Sequence, residues 1–327
     1  MLKFFVVGLL VGLSLALNPL LTNLSFIKKS KNASQKEAPL FSSASQQKST
    51  GENHQLPLAA DVFLAVADRL PIFPIRNWNV EEIKIPAETA LVFDNFYQEI
   101  LFRKNDINHS YPIASLTKIM TALIVLENAS LNEIFEVSRQ AVDAYGEMGN
   151  LRVGEHLTVK NLLAALLIES SNDAAEALAE NVNKKSGKNF VEMMNTQAEN
   201  LKLKNTKFFD PAGLSPQNVS SAWDLNRLMR EFVKQPVFQE ITQTASIDIV
   251  SAEGYNHHLT STNQLLGRLP EIIAGKTGYT EEAGECMALV VKSPDNRGEL
   301  IFVVMNAQDR LAETAALVKW TKEAFIW

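Results

Sequence analysis

The sequence predicts an α+β fold in which an antiparallel sheet is assembled from strands far apart in the chain. Strand-like apolar runs lie near both ends of the folded region, helical patterns fill the interval, and no internal repeat divides it. Ala90-Leu-Val-Phe93 and Glu99-Ile-Leu-Phe102 flank the polar Asp94-Asn-Phe-Tyr-Gln98 and read as a hairpin. A helix is expected from about Ser115 to Glu127. Further 3.6-residue patterns cover Thr158–Glu169, Asp173–Asn183, Asn189–Leu201 and Ala222–Val233. Strand signals return at Ser246–Val250, Met287–Lys292 and Glu299–Met305. The last two are joined by Ser293-Pro-Asp-Asn-Arg-Gly298, whose Pro, Asn and Gly suit a turn. A final amphipathic helix spans about Leu311–Phe325.

The amino terminus has a different character. Phe4-Phe-Val-Val-Gly-Leu-Leu-Val-Gly-Leu-Ser-Leu-Ala-Leu17 is uncharged and apolar, and the run extends towards Leu21. Such a stretch suits a secretory signal core or a membrane span. No Ala-x-Ala site follows it, so residues 1–27 are read as an export segment, with an uncleaved anchor favoured over a cleaved signal. Residues 28–57 are rich in Ser, Gln, Lys and Asn and read as a flexible polar stalk. The folded domain is then expected over 58–327, exported to the outer face of the membrane.

Composition excludes several function classes. A net charge of −6 gives no footprint for nucleic acid. The lone Cys286 allows no internal disulfide, and the five histidines show no metal-ligand spacing, so neither a metal nor a cofactor is expected. No Gly-x-Ser-x-Gly elbow points to a Ser-His-Asp hydrolase.

Three polar clusters carry the chemistry: Ser115-Leu-Thr-Lys118, Ser170-Ser-Asn172 and Lys276-Thr-Gly278. Each alone is common. Ser-x-x-Lys recurs at Ser25–Lys28 and Ser45–Lys48, outside any expected element. The order and the element boundaries are what distinguish this set. Ser115 and Lys118, three apart on a helix, share a face. That helix is apolar almost all round and therefore buried, and a buried lysine must find a partner or give up its proton. A neutral amine accepts a serine proton, so the pair can open an acyl transfer without a histidine. A second cation brought close to it would lower the Lys118 pKa further, and Lys276 is the candidate. Ser170, Ser171, Asn172 and Asp173 are good N-cap residues, yet only one of them is needed as the cap. Lys276-Thr-Gly278 reads either as a charged edge strand guarded by its lysine or as an edge to which a peptide adds.

The chain resembles the serine D-alanyl-D-alanine carboxypeptidases, the low-molecular-weight penicillin-binding proteins, over about Leu58–Trp327. The resemblance lies in Tyr111-Pro-Ile-Ala-Ser-Leu-Thr-Lys-Ile-Met-Thr-Ala122, in Leu167-Ile-Glu-Ser-Ser-Asn-Asp-Ala-Ala175 and in Gly275-Lys-Thr-Gly-Tyr-Thr-Glu-Glu-Ala-Gly284. Asp210-Pro-Ala-Gly-Leu214 and Thr262-Asn-Gln-Leu-Leu266 add to it. It implies a penicillin-binding/β-lactamase-like fold, with an antiparallel sheet flanked by helices and a mostly helical inserted region. It implies removal of the terminal D-alanine from peptidoglycan stem peptides, with β-lactams as covalent inhibitors. It also implies roles: Ser115 as nucleophile, Lys118 as its base, Ser170 as proton relay to the leaving group and Asn172 as ligand of the substrate amide. Lys276 would supply positive potential, with Thr277 and Gly278 beside the substrate strand. The N–H groups of Ser115 and Tyr279 would form the oxyanion hole, and Arg310 would meet the substrate carboxylate.

The chain departs from the family at Ser171, where glycine is usual, and around Asn218, where a histidine is usual. No second, all-β domain is expected after Trp327. A class A β-lactamase is disfavoured because no Glu-x-x-Leu-Asn-type loop separates Asn172 from Lys276. A peptidoglycan D,D-endopeptidase uses the same residues, and a non-catalytic cell-wall binding protein stands as the alternative of a different class.

Overall fold

The computed structural model describes residues 74–143 and 149–327. The expected anchor (1–27), the stalk (28–57) and residues 58–73 of the expected catalytic domain lie outside the described residues. Among the described residues no helix is long and apolar enough to cross a membrane.

Five strands form the central antiparallel sheet: β1 (Thr89–Asp94), β2 (Glu99–Lys104), β3 (Ile272–Thr280), β4 (Gly284–Lys292) and β5 (Glu299–Ala307). Their order in space is β3-β4-β5-β1-β2. The sheet is therefore discontinuous in sequence, as expected, with Phe93 opposite Ile301 and Leu91 opposite Val303 where early and late strands meet. Both faces are covered. Leu91, Phe93, Ala288, Val290, Ile301, Val303 and Met305 belong to one apolar core. Their neighbours Ala90, Val92, Met287, Leu289, Val291, Leu300, Phe302 and Val304 belong to another. Successive strand side chains point to opposite faces, which is why these strands read as unbroken apolar runs.

The first core is filled by the helical region: α1 (Lys118–Asn128), α2 (Asn172–Ser186), α3 (Phe190–Asn200) and α4 (Ala222–Val233). Each of α2, α3 and α4 starts on a polar cap, Ser171, Asn189 and Ser221 respectively, and α2 stops at Gly187 in the left-handed conformation. The second core lies under α5 (Arg310–Ala324), where Trp320 meets Phe102 edge-on at 5.4 Å. Residues Ile75–Arg76 pair with Phe325–Ile326, so the two ends of the described domain are tied together.

Helix α1 is central to the site. Every residue from Lys118 to Val125 is buried. Ile119, Met120, Leu123, Ile124 and Val125 each contribute about 1.5–3 kcal/mol on burial. Together that offsets the several kcal/mol it costs to take an ammonium out of water.

Two elements differ from expectation. Ser115 does not lie in the α-helix but on a 3-10 turn, Ala114–Thr117, that leads into it. The expected helix Thr158–Glu169 is an α-helix only over Val159–Ala164 and continues as a π-turn over Ala165–Glu169. The widened turn ends at Ser170 with φ 70°, ψ 30°, a left-handed geometry that costs a non-glycine residue about 1–2 kcal/mol.

Candidate active site

The nucleophile turn is strained and held from outside. Ala114 has φ 45°, and the backbone on either side of Ser115 is fixed by the Ile113 N–H bond to the Asn218 carbonyl at 3.0 Å and the Leu116 N–H bond to the Ile113 carbonyl at 3.1 Å. Ser115 is half-buried, its neighbours fully buried. Strand β3 presses on this turn. A Cβ placed on Gly278 would stand 3.0 Å from the Ile113 carbonyl oxygen and 3.2 Å from the Ser115 nitrogen, so glycine permits the approach.

Lys118 reaches three partners. Its Nζ donates to Ser115 Oγ at 2.9 Å, to Asn172 Oδ1 at 2.8 Å and to the Ala212 carbonyl at 2.6 Å. It has no exposed surface. Burial pushes its pKa down from 10.5 to about 7, against the opposing charges of Asp210 and then Glu176. Lys276 is equally enclosed, and burial, then Lys118 and Arg310, hold it well below the ordinary range, so each of the two lysines disfavours the charge of the other.

The second cluster divides its labour as the sequence allows. Ser171 is the cap, its Oγ accepting from the Ala174 N–H at 3.1 Å. That frees its neighbours. Ser170 turns to Lys276, whose Nζ donates to Ser170 Oγ at 2.8 Å and to the Thr277 carbonyl at 2.9 Å, while Asn172 turns to Lys118. Ser171, the departure from glycine, is spent on the helix start and is 1% exposed.

The third cluster lies on β3, which is an edge strand. The edge is present, but the guarding lysine is not: Lys276 is 1% exposed and points into the site. Thr277 Oγ1 donates to Thr262 Oγ1 at 2.7 Å, and Tyr279 is well exposed. Arg310, at the start of α5, donates from Nη1 to the Gly278 carbonyl at 3.2 Å, and the same nitrogen lies 3.6 Å from Glu285 Oε1. Its Nε is buried with no hydrogen-bond partner among the described residues.

All residues expected in the site are thus brought together: Ser115, Lys118, Ser170, Asn172, Lys276, Thr277, Gly278, Tyr279 and Arg310 surround one junction between β3, the 3-10 turn and the start of α2. Sequence reasoning assigned no role to Thr262, Ala212 or Glu285. The stretches holding Thr262 and Ala212 were visible only as resemblances, and nothing in the sequence marks Glu285. Chemically the arrangement offers a hydroxyl beside a buried amine of lowered pKa, a second hydroxyl beside a second amine, and an arginine at the far end.

Comparison with known proteins identifies the family. The family model for D-alanyl-D-alanine carboxypeptidase matches residues 76–309. A D-alanyl-D-alanine endopeptidase of Pseudomonas aeruginosa is 33% identical over 72% of this chain and 77% of its own length. The D-alanyl-D-alanine carboxypeptidase DacF of Bacillus subtilis is 32% identical over 75% of this chain and 63% of its own length. The crystal structure of D-alanyl-D-alanine carboxypeptidase from Mycobacterium tuberculosis is 28% identical, covers 75% of this chain and 94% of that one, and superposes with a TM-score of 0.67. The penicillin-binding fold expected from the resemblance is therefore the fold of this chain, and the chain belongs to the D-alanyl-D-alanine carboxypeptidase family.

Proposed function

We propose that this serine-type D-Ala-D-Ala carboxypeptidase works through an ester on Ser115, with Lys118 as the base that opens the reaction. One observation carries the assignment: the 2.9 Å contact between Ser115 Oγ and an amine whose pKa burial has lowered to about 7. An ordinary lysine is free base in only about one part in three thousand at neutral pH. The lowered pKa of Lys118 raises that share by orders of magnitude.

In the proposed sequence Lys118 Nζ takes the Ser115 proton as Oγ attacks the penultimate carbonyl. The oxyanion forms against the N–H groups of Ser115 and Tyr279. Ser170, hydrogen-bonded to Lys276, relays a proton to the leaving D-alanine nitrogen as the C–N bond breaks. Water then adds to the Ser115 ester and releases the shortened peptide as a carboxylate. Asn172 holds the substrate amide, while Thr277 and Gly278 on the free edge of β3 run beside the substrate backbone. Arg310 meets the terminal carboxylate, which a guanidinium fork suits.

One assay tests both the activity and its recognition. Full-length protein is expected to release free D-alanine from a peptide ending in D-Ala-D-Ala. Arg310→Ala is expected to slow hydrolysis of that peptide about ten- to a hundredfold, the worth of a hydrogen bond to a charged group, with much less effect on its C-terminal amide. No D-alanine from the parent protein defeats the activity, and equal losses on acid and amide remove Arg310 from the site.

A second reading, cleavage of D-Ala cross-links between peptidoglycan strands, is favoured by the endopeptidase name of the Pseudomonas aeruginosa relative. It uses the same residues, and the ratio of turnover on cross-linked and single stem peptides separates the two.

Enzymes of this family act on the cell wall, which places the activity outside the cytoplasm. We propose further that residues 1–27 anchor the chain in the cytoplasmic membrane and that 28–57 form the stalk from which the catalytic domain extends. The apolar run Phe4–Leu17 and the polar composition after it support this. Protease added to intact spheroplasts is then expected to release a soluble, penicillin-binding fragment that begins within 28–57. Complete protection would mean a cytoplasmic catalytic domain.

A further inference from the structure

Asn218, four residues beyond the Asp210-Pro-Ala-Gly-Leu214 stretch, is completely buried. Its Oδ1 accepts from the backbone N–H groups of Phe209 at 2.6 Å and Asp210 at 3.3 Å, and its Nδ2 donates to Asp210 Oδ2 at 2.9 Å. The Asp210 carboxylate also accepts from the N–H groups of Ala212 at 2.8 Å, Gly213, Leu214 at 3.2 Å and Ser215 at 2.7 Å. Five donors converge on one carboxylate, a set that suits an anion. The loop from Asp210 to Ser215 is thereby closed on itself.

The outer side of that loop is a wall of the active site. The Ala212 carbonyl takes the shortest hydrogen bond of Lys118, and the Pro211 carbonyl takes one from Thr121 Oγ1 at 2.6 Å, one turn further along α1. Gly213, at φ +86°, lies against the strained turn: a Cβ there would stand 2.0 Å from the Ala114 carbonyl oxygen. The charged groups that face Lys118 come from three elements. Asp210 is on the loop, Glu176 on α2 and Lys276 on β3, with Arg310 of α5 behind Lys276. Asp210 is the larger of the two charges opposing the effect of burial on Lys118. Glu176 is itself pushed up to about 7 by burial and then by Asp210 and Glu180, so it is only partly charged at neutral pH.

We propose that Asp210, locked by Asn218 and backed by Glu176, is the positioning residue for Lys118: it presents the Ala212 carbonyl to the amine and supplies the fixed negative charge that faces Nζ as it takes the Ser115 proton. This rests on Lys118 being the base. In that step the Oγ–H bond breaks, an N–H bond forms, and a buried ammonium appears where an amine stood. The anion behind the loop stabilises that ammonium, while the carbonyl fixes the direction from which the remaining lone pair or proton faces Ser115.

Acylation of the full-length protein by a fluorescent penicillin, followed from about pH 5 to about pH 9, tests the proposal. The parent rate is expected to rise with pH through a limb centred near 7, as Lys118 loses its proton. With the opposing charge gone, Lys118 loses its proton more easily. Asp210→Asn is therefore expected to move the limb to lower pH by roughly one unit and to lower the plateau about tenfold, since a weaker base abstracts more slowly. A purely structural role would lower the plateau and leave the limb in place. If Asp210→Asn does not fold, Glu176→Gln carries the test, because Glu176 shares none of the loop's hydrogen bonds; a smaller shift in the same direction is expected. A limb that stays put in folded Asp210→Asn, or in Glu176→Gln when the first does not fold, overturns the proposal. A parent protein with no limb near 7 overturns instead the assignment of Lys118 as base.

Discussion

Ser115→Ala is expected to abolish covalent labelling by a fluorescent penicillin while the protein still folds. The substitution deletes the hydroxyl that lies 2.9 Å from the Lys118 amine. Ser170, the other serine of the site, is hydrogen-bonded to Lys276 instead. Removing a nucleophile of this kind costs at least about a thousandfold in rate. The cost to stability is small. Ser115 gives up one hydrogen bond, worth about 1 kcal/mol, and Lys118 keeps Asn172 and Ala212 as partners. The turn itself is shaped by Ala114, Gly213 and Gly278, none of which changes. Gel fluorescence together with a melting curve checks both halves. Labelling that survives in a folded Ser115→Ala, or that maps to Ser170, excludes Ser115 as the nucleophile.

The parts of this site legible in the sequence are those that local pattern controls. Helix α4 begins and ends where its periodicity places it, because Ser221 is a good cap and its apolar stripe is regular. The burial of Lys118 follows from the apolar residues on every side of α1. Other features depend on neighbours that the pattern cannot name. Ala165-Leu-Leu-Ile-Glu169 is made of good helix formers, and nothing in it announces a π-turn. Yet the extra residue is what swings Ser170 towards Lys276 and leaves Ser171 to cap α2. Lys276 on an edge strand suggests a solvated guard; only the fold shows that its side chain turns inwards. Asn218 is silent in the sequence. Its value lies in three hydrogen bonds to residues eight and nine positions earlier, and a single asparagine in a polar loop carries no trace of them.

The sharpest expected contrast lies between two chemically identical substitutions, Lys118→Arg and Lys276→Arg. Arginine keeps the positive charge and gives up the ability to lose it. Lys118 must lose its proton before it can accept the one from Ser115, and burial has lowered its pKa to about 7. Its loss as a general base is expected to cost acylation about a hundred- to ten-thousandfold. Lys276 acts through its charge. It sits 2.8 Å from Ser170 Oγ and adds to the potential that faces the substrate carboxylate. Arginine preserves that charge. The penalty there is steric, because Lys276 is enclosed, and overpacking of a core costs about 1–3 kcal/mol, felt in folding more than in the chemical step. The two effects also differ in pH dependence. Lys276→Arg should still gain activity as pH rises through the region of 7, because the titrating Lys118 is intact. Lys118→Arg should lose the limb that belongs to Lys118, because arginine does not give up its proton in that range. Penicillin acylation rates of both variants, taken across pH on protein of confirmed fold, decide the matter. Similar rates and similar limbs in the two variants would mean that Lys118 does not take the Ser115 proton, and that the reaction opens through another group.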